Sequence, residues 1–598
     1  MNVLAAADAI RPLRPGMRIY VGSASGTPLD LLAALAASGL ADIELVYFVL
    51  GEIDLEGMLA KAPLIKHRPL YVGRPLDRSM LGDRVSHVPI SLPQAAHLVR
   101  AGRWTFDAAL VATSEPDAHG YVSLGASVGM TPAVLATTAL AIAERVPDMP
   151  FTAGGSAVPL TRFSASIIAA HPVPSYSHPH NDDIGRRIGR YLTRLVDDGA
   201  TLQTGPGAVA NGAIRFLADK RNLRIHSDVV YDDLQTLVDS EALDPLATPA
   251  VVTSHATGNS EFLHNLDRNP RFDLRSIEEV ADVARLAAIP KLVSITQAFA
   301  VDLTGQACCD SFGDAVLGGL ASQPEFMRAA AGAIGGRAVL CLRALGADGS
   351  SAIRAKLRPG EPVTLPRSDV HFVVTEFGIA YLQGKSLQDR ALALIEVAAP
   401  DVRGELLAQA RELGLIGADF RRANRGEYVV EDEREVRTKS GRSIRIRPAR
   451  LADVPQLQRL IHRLPPEDLY LRFFRTLRSL TIEEAVRLCT NEQSVDAMFV
   501  AVEGAAESEQ VVGNACLLGD PTGRYGEVGY LVDPGLQGSG LGRALQQTLI
   551  DKAHALGFRG LTAEILADNK RMLALARASG LRVSTERDGD TCEVLMQW

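Results

Sequence analysis

The chain has 598 residues, enough for about four domains at roughly 150 residues each, or three if one is large. Its 62 Lys+Arg stand against 70 Asp+Glu, a formal net charge of −8, which argues against a general nucleic-acid binder because that needs a basic face. With 47% apolar and 22% charged residues the chain can form ordinary cores, so disorder over most of its length is excluded.

In chain order, Pro12 and Pro15 come too early for the apolar region of a signal peptide. Met17–Val21 and Ile43–Val49 read as strands, with Leu29–Ala37 a helix between them. Ala108–Ala112, Val251–Ser254, Leu292–Thr296 and Val370–Val374 are short, mostly apolar runs of strand length. Helical stretches such as Asp183–Val196 and Leu387–Ala398 separate them. This alternation predicts an α/β architecture of parallel or mixed sheets covered by helices. Val134 to Ala143, the longest apolar stretch, is too short to span a bilayer, so a cytoplasmic protein without a membrane partner is expected. The prolines of Pro172–Asp183 block both helix and central strand and suggest a crossing between two lobes.

The six cysteines, Cys308, Cys309, Cys341, Cys489, Cys516 and Cys592, form no CxxC pair, so no metal site is expected. The vicinal pair Cys308-Cys309 reads as two buried small hydrophobes, with a redox switch as the other reading. Two phosphate-loop patterns fail. Gly378 to Ser386 carries five residues between its glycines where a Walker loop has four, and in Gly538-Ser539-Gly540-Leu541-Gly542 the third glycine comes one position early for a dinucleotide fingerprint.

Several stretches of the first 430 residues carry longer motifs. They are Ser114-Glu-Pro-Asp117-Ala-His119-Gly120-Tyr121-Val-Ser123-Leu124-Gly125, then Ala200-Thr-Leu-Gln203-Thr-Gly205-Pro-Gly207, then the run from Pro366 to Ser386 that contains Glu376 and Gly378. These resemble the acetyl-CoA hydrolase/transferase family, class I CoA-transferases that include acetate and 4-hydroxybutyrate CoA-transferases. The resemblance runs from about residue 13 to 415 and implies two α/β lobes facing an acyl-CoA cleft, with Gln203, Gly205, Gly207, Glu376 and Gly378 among the residues that bind CoA. The family's reaction uses a glutamate that attacks the thioester and passes through a mixed anhydride. That glutamate lies in S-I-N-x-A-L-E-V-D-L-x-G-Q; here the stretch Ser294 to Gln306 places Ala300 at its position, and a methyl group cannot form an anhydride. Asp302 and Glu376 are carboxylates the family has in addition to its nucleophile. The family's G-x-G-G-Q loop reads Gly319-Leu320-Ala321-Ser322-Gln323, with two glycines replaced.

From Glu431 to Arg450 the mixed charge cannot be buried cheaply and reads as a solvated connector running into a strand at Ser443–Arg447. Beyond it, a strand at Val528–Val532 ends at Asp533-Pro534, a glycine-rich turn follows, and a helix runs from about Leu541 to Leu556. The first turn of such a helix binds anions, and Arg543 adds a cation. Gln537-Gly538-Ser539-Gly540-Leu541-Gly542 resembles the Q/R-x-x-G-x-G/A acetyl-CoA loop of the GNAT acyltransferases, and Ala563 to Leu566, Asn569, Met572 and Gly580-Leu581 resemble their next strand and helix. Leu469-Tyr470-Leu471-Arg472-Phe473-Phe474 resembles the bacterial protein-lysine acetyltransferase branch, although a buried aromatic helix face reads the same way. The resemblance places Val532, the loop from Gln537 to Arg543, and Asn569 along acetyl-CoA.

The reaction it implies has a simple demand. A lysine with pKa ≈ 10.4 is about 3.4 units above pH 7, so its neutral form costs roughly 4.6 kcal/mol, and a nearby carboxylate can take the proton. Glu527, ten residues before Gln537, stands where the lysine-acetyltransferase branch has its glutamate; the other reading is an exposed strand charge. Many GNAT enzymes place a tyrosine acid seven residues after the Asn, where this chain has Ala576.

The expectation is a two-lobed class I CoA-transferase fold followed by a separate α+β GNAT domain: lobes 1–180 and 181–430, a charged linker 431–442, and the acetyltransferase at 443–598. Acetyl-CoA or CoA is the expected substrate, with a protein lysine or small amine as acceptor; a homo-oligomer is left open. The competing expectation is an active acetyl-CoA hydrolase or acetate CoA-transferase that uses another carboxylate, and a third is a sensor with both sites silent.

Overall fold

The computed structural model describes residues 3–598 apart from 51–61, 63, 74–81, 83, 176–181, 206, 313–314, 419, 421–431, 478, 491–495, 506–507 and 520–523. The described residues form two compact units, one of Met1–Asp348 with Lys356–Glu376, the other of Gly349–Ala355 with Phe377–Trp598.

Two sheets build the first unit. One has the order Ile65–Pro69, Ile43–Tyr47, Arg18–Val21, Ala108–Thr113, Leu140–Arg145, Ala165–Ile168, with all neighbours parallel. All six residues of Ala108–Thr113 are buried, as befits a central strand covered by helices on both faces. Leu29–Ala37 is a helix, as the sequence predicts, and buries Leu31, Leu32 and Leu35. The second sheet runs Phe372–Thr375, Arg337–Cys341, Leu292–Gln297, Thr201–Thr204, Arg224–Tyr231, Val251–Thr257, Phe272–Leu274, Ala153–Gly154, again parallel throughout. The two sheets account for the βα alternation of the sequence. Half of the proposed lobe crossing at 172–183, residues 176–181, lies outside the described residues.

In the second unit the sheet order is Arg434–Arg437, Ser443–Pro448, Ala497–Glu503, Gln510–Gly519, Tyr525–Val532, Gly560–Leu566, Thr591–Gln597, Arg582–Asp588. Every pair is antiparallel except Tyr525–Val532 with Gly560–Leu566. The helix Leu541–Ala555 lays Leu541, Leu545 and Leu549 into a core that includes Phe499, Ala515 and Leu561. That i, i+4 spacing puts all three leucines on one face.

The charged seam is more than a connector. Arg434–Arg437 pairs with Ser443–Ile446 as an edge strand, a place where alternating charge protects an exposed ladder from foreign strands. The compact unit also begins well before the seam. Leu451 N–H donates to Glu396 at 3.2 Å, and Arg450 Nη1 donates to the Ile379 carbonyl at 3.1 Å. These bonds fasten the helix Leu387–Glu396 and the strand Gly378–Tyr381 to the residues that open the C-terminal sheet. Behind them, Arg447 and Asp453 form a buried bidentate pair, both bonds 2.8 Å. Burial pushes the Glu396 carboxyl up and the Lys385 ammonium down from their ordinary values.

Candidate functional site

The N-terminal motifs converge in the second sheet of the first unit. Thr201–Thr204 and Leu292–Gln297 are neighbours, with Gln203 opposite Ser294. Ser294 Oγ donates to Gln203 Oε1 at 2.6 Å, and Gln203 Nε2 reaches Asp228 Oδ1 at 3.5 Å. Gly205 lies beside Thr296, and the side chain of Gln297 fills the space a Cβ at Gly207 would need. The T-L-Q and S-I-T-Q motifs therefore share one edge, at the carboxyl ends of parallel strands, where open α/β sheets bind ligands. Thr296, next to the end of Leu292–Gln297, has a buried hydroxyl without a hydrogen-bond partner among the described residues.

Asp228 was not singled out by the sequence. It is buried, and desolvation raises its carboxyl to about 6, against the bonds from Gln203 and the Val229 N–H. An isolated aspartate in a strand carries no pattern that marks it, so only the packing reveals it.

Ala300 is fully buried in the strand Ala300–Asp302, opposite Cys308. Asp302, two residues on, is engaged by its own turn. Its Oδ1 accepts from Thr304 N (2.9 Å), Thr304 Oγ1 (2.7 Å) and Gln306 N (3.2 Å), and its Oδ2 accepts from Gln306 Nε2 (2.9 Å). With that many donors the carboxylate is the keystone of a turn. Glu376 accepts from the Ala344 N–H at 3.0 Å, and burial raises its carboxyl above the usual range. Gly378 belongs to the second unit, where its Cα faces Arg450 and Val397.

The altered glycine loop is tightly packed. Gly319 packs so tightly on the Leu70 carbonyl that no side chain fits there. Ala321 takes φ +46°, a left-handed conformation that costs a non-glycine residue roughly 1 kcal/mol. Its carbonyl accepts from Leu92 N–H at 2.8 Å. Cys309 is buried, and burial holds its thiol well above the ordinary range, as it does for Cys308, pushed to about 12. Neither is a thiolate, which favours the reading of this pair as small hydrophobes.

The C-terminal unit presents a different picture. Tyr525–Val532 and Gly560–Leu566 pair only at Tyr525↔Gly560, Gly526↔Leu561 and Glu527↔Thr562, then part. Glu527 is the last paired residue before the opening, it is exposed, and it makes no hydrogen bond or ion pair among the described residues. Val532 lies at the far end of the same strand, beyond the opening. The turn that follows uses Gly538 at φ +72° and Gly540 at φ +99°, with open space around both. Here glycine serves backbone conformation rather than close packing. The helix Leu541–Ala555 starts at Gly540 with no side-chain cap, so its first-turn N–H groups, including those of Leu541, Gly542 and Arg543, are offered to an anion. Arg543 is exposed there.

Two residues of this loop region already have structural partners. Gln537 Nε2 donates to Asp468 Oδ2 at 2.8 Å and its Oε1 accepts from Arg571 at 3.0 Å. Ser539 Oγ donates to the Leu536 carbonyl at 2.6 Å. Asn569 caps the helix Lys570–Arg577, its Oδ1 accepting from Met572 N–H at 3.1 Å. Among the described residues, one group offers ligand atoms at metal-binding distances, Asp30, Glu144 and His171, and there Glu144 is already bonded to His171 at 2.7 Å and Leu31 N–H at 2.8 Å.

A parallel sheet carrying the T-L-Q and S-I-T-Q motifs on one edge, and a splayed strand pair beside an uncapped helix, are the two frames of an acyl-CoA-using transferase. Residues 2–172 match the acetyl-CoA hydrolase/transferase N-terminal domain, residues 258–410 its C-terminal domain, and residues 465–581 the acetyltransferase (GNAT) family. The chain is 31% identical to 4-hydroxybutyrate coenzyme A transferase of Clostridium kluyveri over 69% of this chain and 97% of that one. It is 30% identical to succinyl-CoA:acetate/propanoyl-CoA:succinate CoA transferase of Fasciola hepatica over 66% of this chain and 84% of that one. The crystal structure of RipA from Yersinia pestis superposes with a TM-score of 0.64 at 27% identity, covering 69% of this chain and 98% of that one. The chain belongs to the acetyl-CoA hydrolase/transferase family and carries a GNAT domain at its C-terminal end. No helix among the described residues is long and apolar enough to cross a membrane.

Proposed function

We propose that the C-terminal domain, residues 443–598, transfers acetyl from acetyl-CoA to an amine, a protein lysine, with Glu527 as the base. The observation that carries this reading is the position of Glu527: an exposed, unpaired carboxylate where two parallel strands part, beside a helix start suited to a pyrophosphate. The thioester lies in the opening, the pyrophosphate sits on the loop from Gln537 to Arg543, and Val532 and Asn569 flank the cofactor arm. The ammonium of the acceptor loses its proton to Glu527 as nitrogen attacks the carbonyl carbon. Incubation with labelled acetyl-CoA and cell lysate tests this. Wild type labels proteins on lysine and Glu527→Gln does not; equal labelling by both would refute the assignment.

The N-terminal module, lobes 1–180 and 181–430, binds CoA or an acyl-CoA without forming a covalent glutamyl adduct. Gln203, Gly205 and Gly207 line that cleft, with Glu376 and Gly378 carried over from the family motif. The T-L-Q and S-I-T-Q motifs on one sheet edge support retained binding, and buried Ala300 with a saturated Asp302 supports lost chemistry. Hydroxylamine or borohydride trapping during turnover separates this from an active hydrolase or CoA-transferase, which would leave a labelled Asp or Glu in the first 430 residues.

A further inference from the structure

We propose that Arg472 is a catalytic residue of the acetyltransferase domain, holding the negative charge that passes from the thioester oxygen to the CoA sulfur. The proposal rests on the acetyl-transfer reading above. Arg472 lies in the last turn of the helix Pro466–Phe473, which ends on Phe474 in the left-handed conformation, φ +53°. A methyl group at Gly529 would collide with the Arg472 guanidinium. The guanidinium therefore rests directly on the backbone of the strand Tyr525–Val532, in space that glycine leaves open.

Its partners do not account for its charge. Nη2 donates to Cys516 Sγ at 3.5 Å, a weak acceptor, and the guanidinium carbon lies 5.4 Å from the centre of the Phe473 ring. No carboxylate pairs with it among the described residues. A half-buried guanidinium has given up much of its hydration, and its donors call for an anion.

The location says which anion. Gly529 is two residues beyond Glu527, so both lie on one face of the strand, about 7 Å apart along it. Pairing with Gly560–Leu566 stops at Glu527, and the guanidinium lies over the Gly529–Cys516 pair, two residues further along the strand. Meanwhile the position that holds a tyrosine acid in many relatives of this domain is Ala576, which is buried. Tyr530, next along the strand, points to the opposite face and packs against the core.

The step balances without a proton donor at sulfur. The amine lone pair forms the C–N bond while the carbonyl pair moves onto oxygen. Collapse breaks the C–S bond, and its electron pair leaves on sulfur. The acceptor ammonium first passes one proton through Glu527 to water; the second N–H proton leaves the tetrahedral adduct to Glu527, and CoA departs as a thiolate that takes a proton from water. Arg472 stays protonated throughout and only donates hydrogen bonds.

The test uses the full chain, acetyl-CoA, and poly-L-lysine or lysate protein as acceptor, with released CoA thiol as the readout. Arg472→Met should lower kcat by about 10²–10³-fold and leave KM for acetyl-CoA near wild type. Arg472→Lys should recover part of the rate. Arg472→Ala should regain activity when guanidinium is added at millimolar concentration, which a purely structural role would not produce. Wild-type kcat in Arg472→Met, a change in KM alone, or a kcat loss that guanidinium does not restore would overturn the role. A wild type that transfers to neither acceptor would overturn the acetyl-transfer reading as well.

Discussion

The two acyl-CoA folds of this chain treat the carboxylate at their centre in opposite ways. In the first unit Ala300 stands where the family resemblance puts a glutamate, and the carboxylate two residues on, Asp302, is engaged in a turn. In the second, Glu527 is exposed and committed to no partner. A carboxylate that accepts several donors is fixed in place, which suits structure. One that is exposed beside a cleft can exchange a proton, which suits a base.

Several measurements would break or sharpen that contrast. The largest effect is expected at Glu527→Gln, with kcat for acetyl transfer falling 10²–10⁴-fold while acyl-CoA binding to the N-terminal module, read by titration calorimetry, is unchanged. If both fall together, the two sites are not separate. Asp302→Ala comes next: losing the hub of the turn should destabilise the first unit by roughly 2–4 kcal/mol in denaturant melts, with no effect on acetyl transfer.

Asp228 gives a pH signature. Its folded-state pKa, about 6, lies above an unfolded value near 3.9. The folded state thus holds the proton more tightly, and stability falls as pH rises from about 4 through 6. Asp228→Asn should remove that fall, raising stability at pH 7 by roughly 3 kcal/mol relative to wild type. A melt-versus-pH profile identical in both proteins would refute it. The smallest effect is at His171, raised to about 9, mainly by its hydrogen bond to Glu144. Its stabilisation is full below the unfolded value near 6.5 and lost as pH rises through 9. His171→Gln should flatten that alkaline limb and leave the acidic side unchanged.

Much of the site was readable in the residues because it depends on backbone conformation. Gly538 and Gly540 sit at positive φ, a demand that glycine advertises directly. Ala300 was legible because Val301, Asp302 and Gly305-Gln306 fix the register around it. Asp228 and Arg472 were not legible as site residues. Asp228 matters because it is desolvated, and Arg472 because Gly529 leaves room for it, and neither fact is local in sequence. Asn569 and Gln537 carried motif positions, yet their side chains are also engaged in a helix cap and an interhelix bridge.

The sequence by itself determined the α/β alternation and the glycine turns, since each depends on residues near in the chain. Where the C-terminal unit begins was decided only by tertiary structure. Charge composition marked a seam at 431–450, but Glu396 and Ile379 hydrogen-bond to Leu451 and Arg450, and the compact unit also holds Gly349–Ala355 and the chain from Phe377 on. A run of charge is visible in one dimension; the partner that neutralises or bonds it is found only when the chain has folded back.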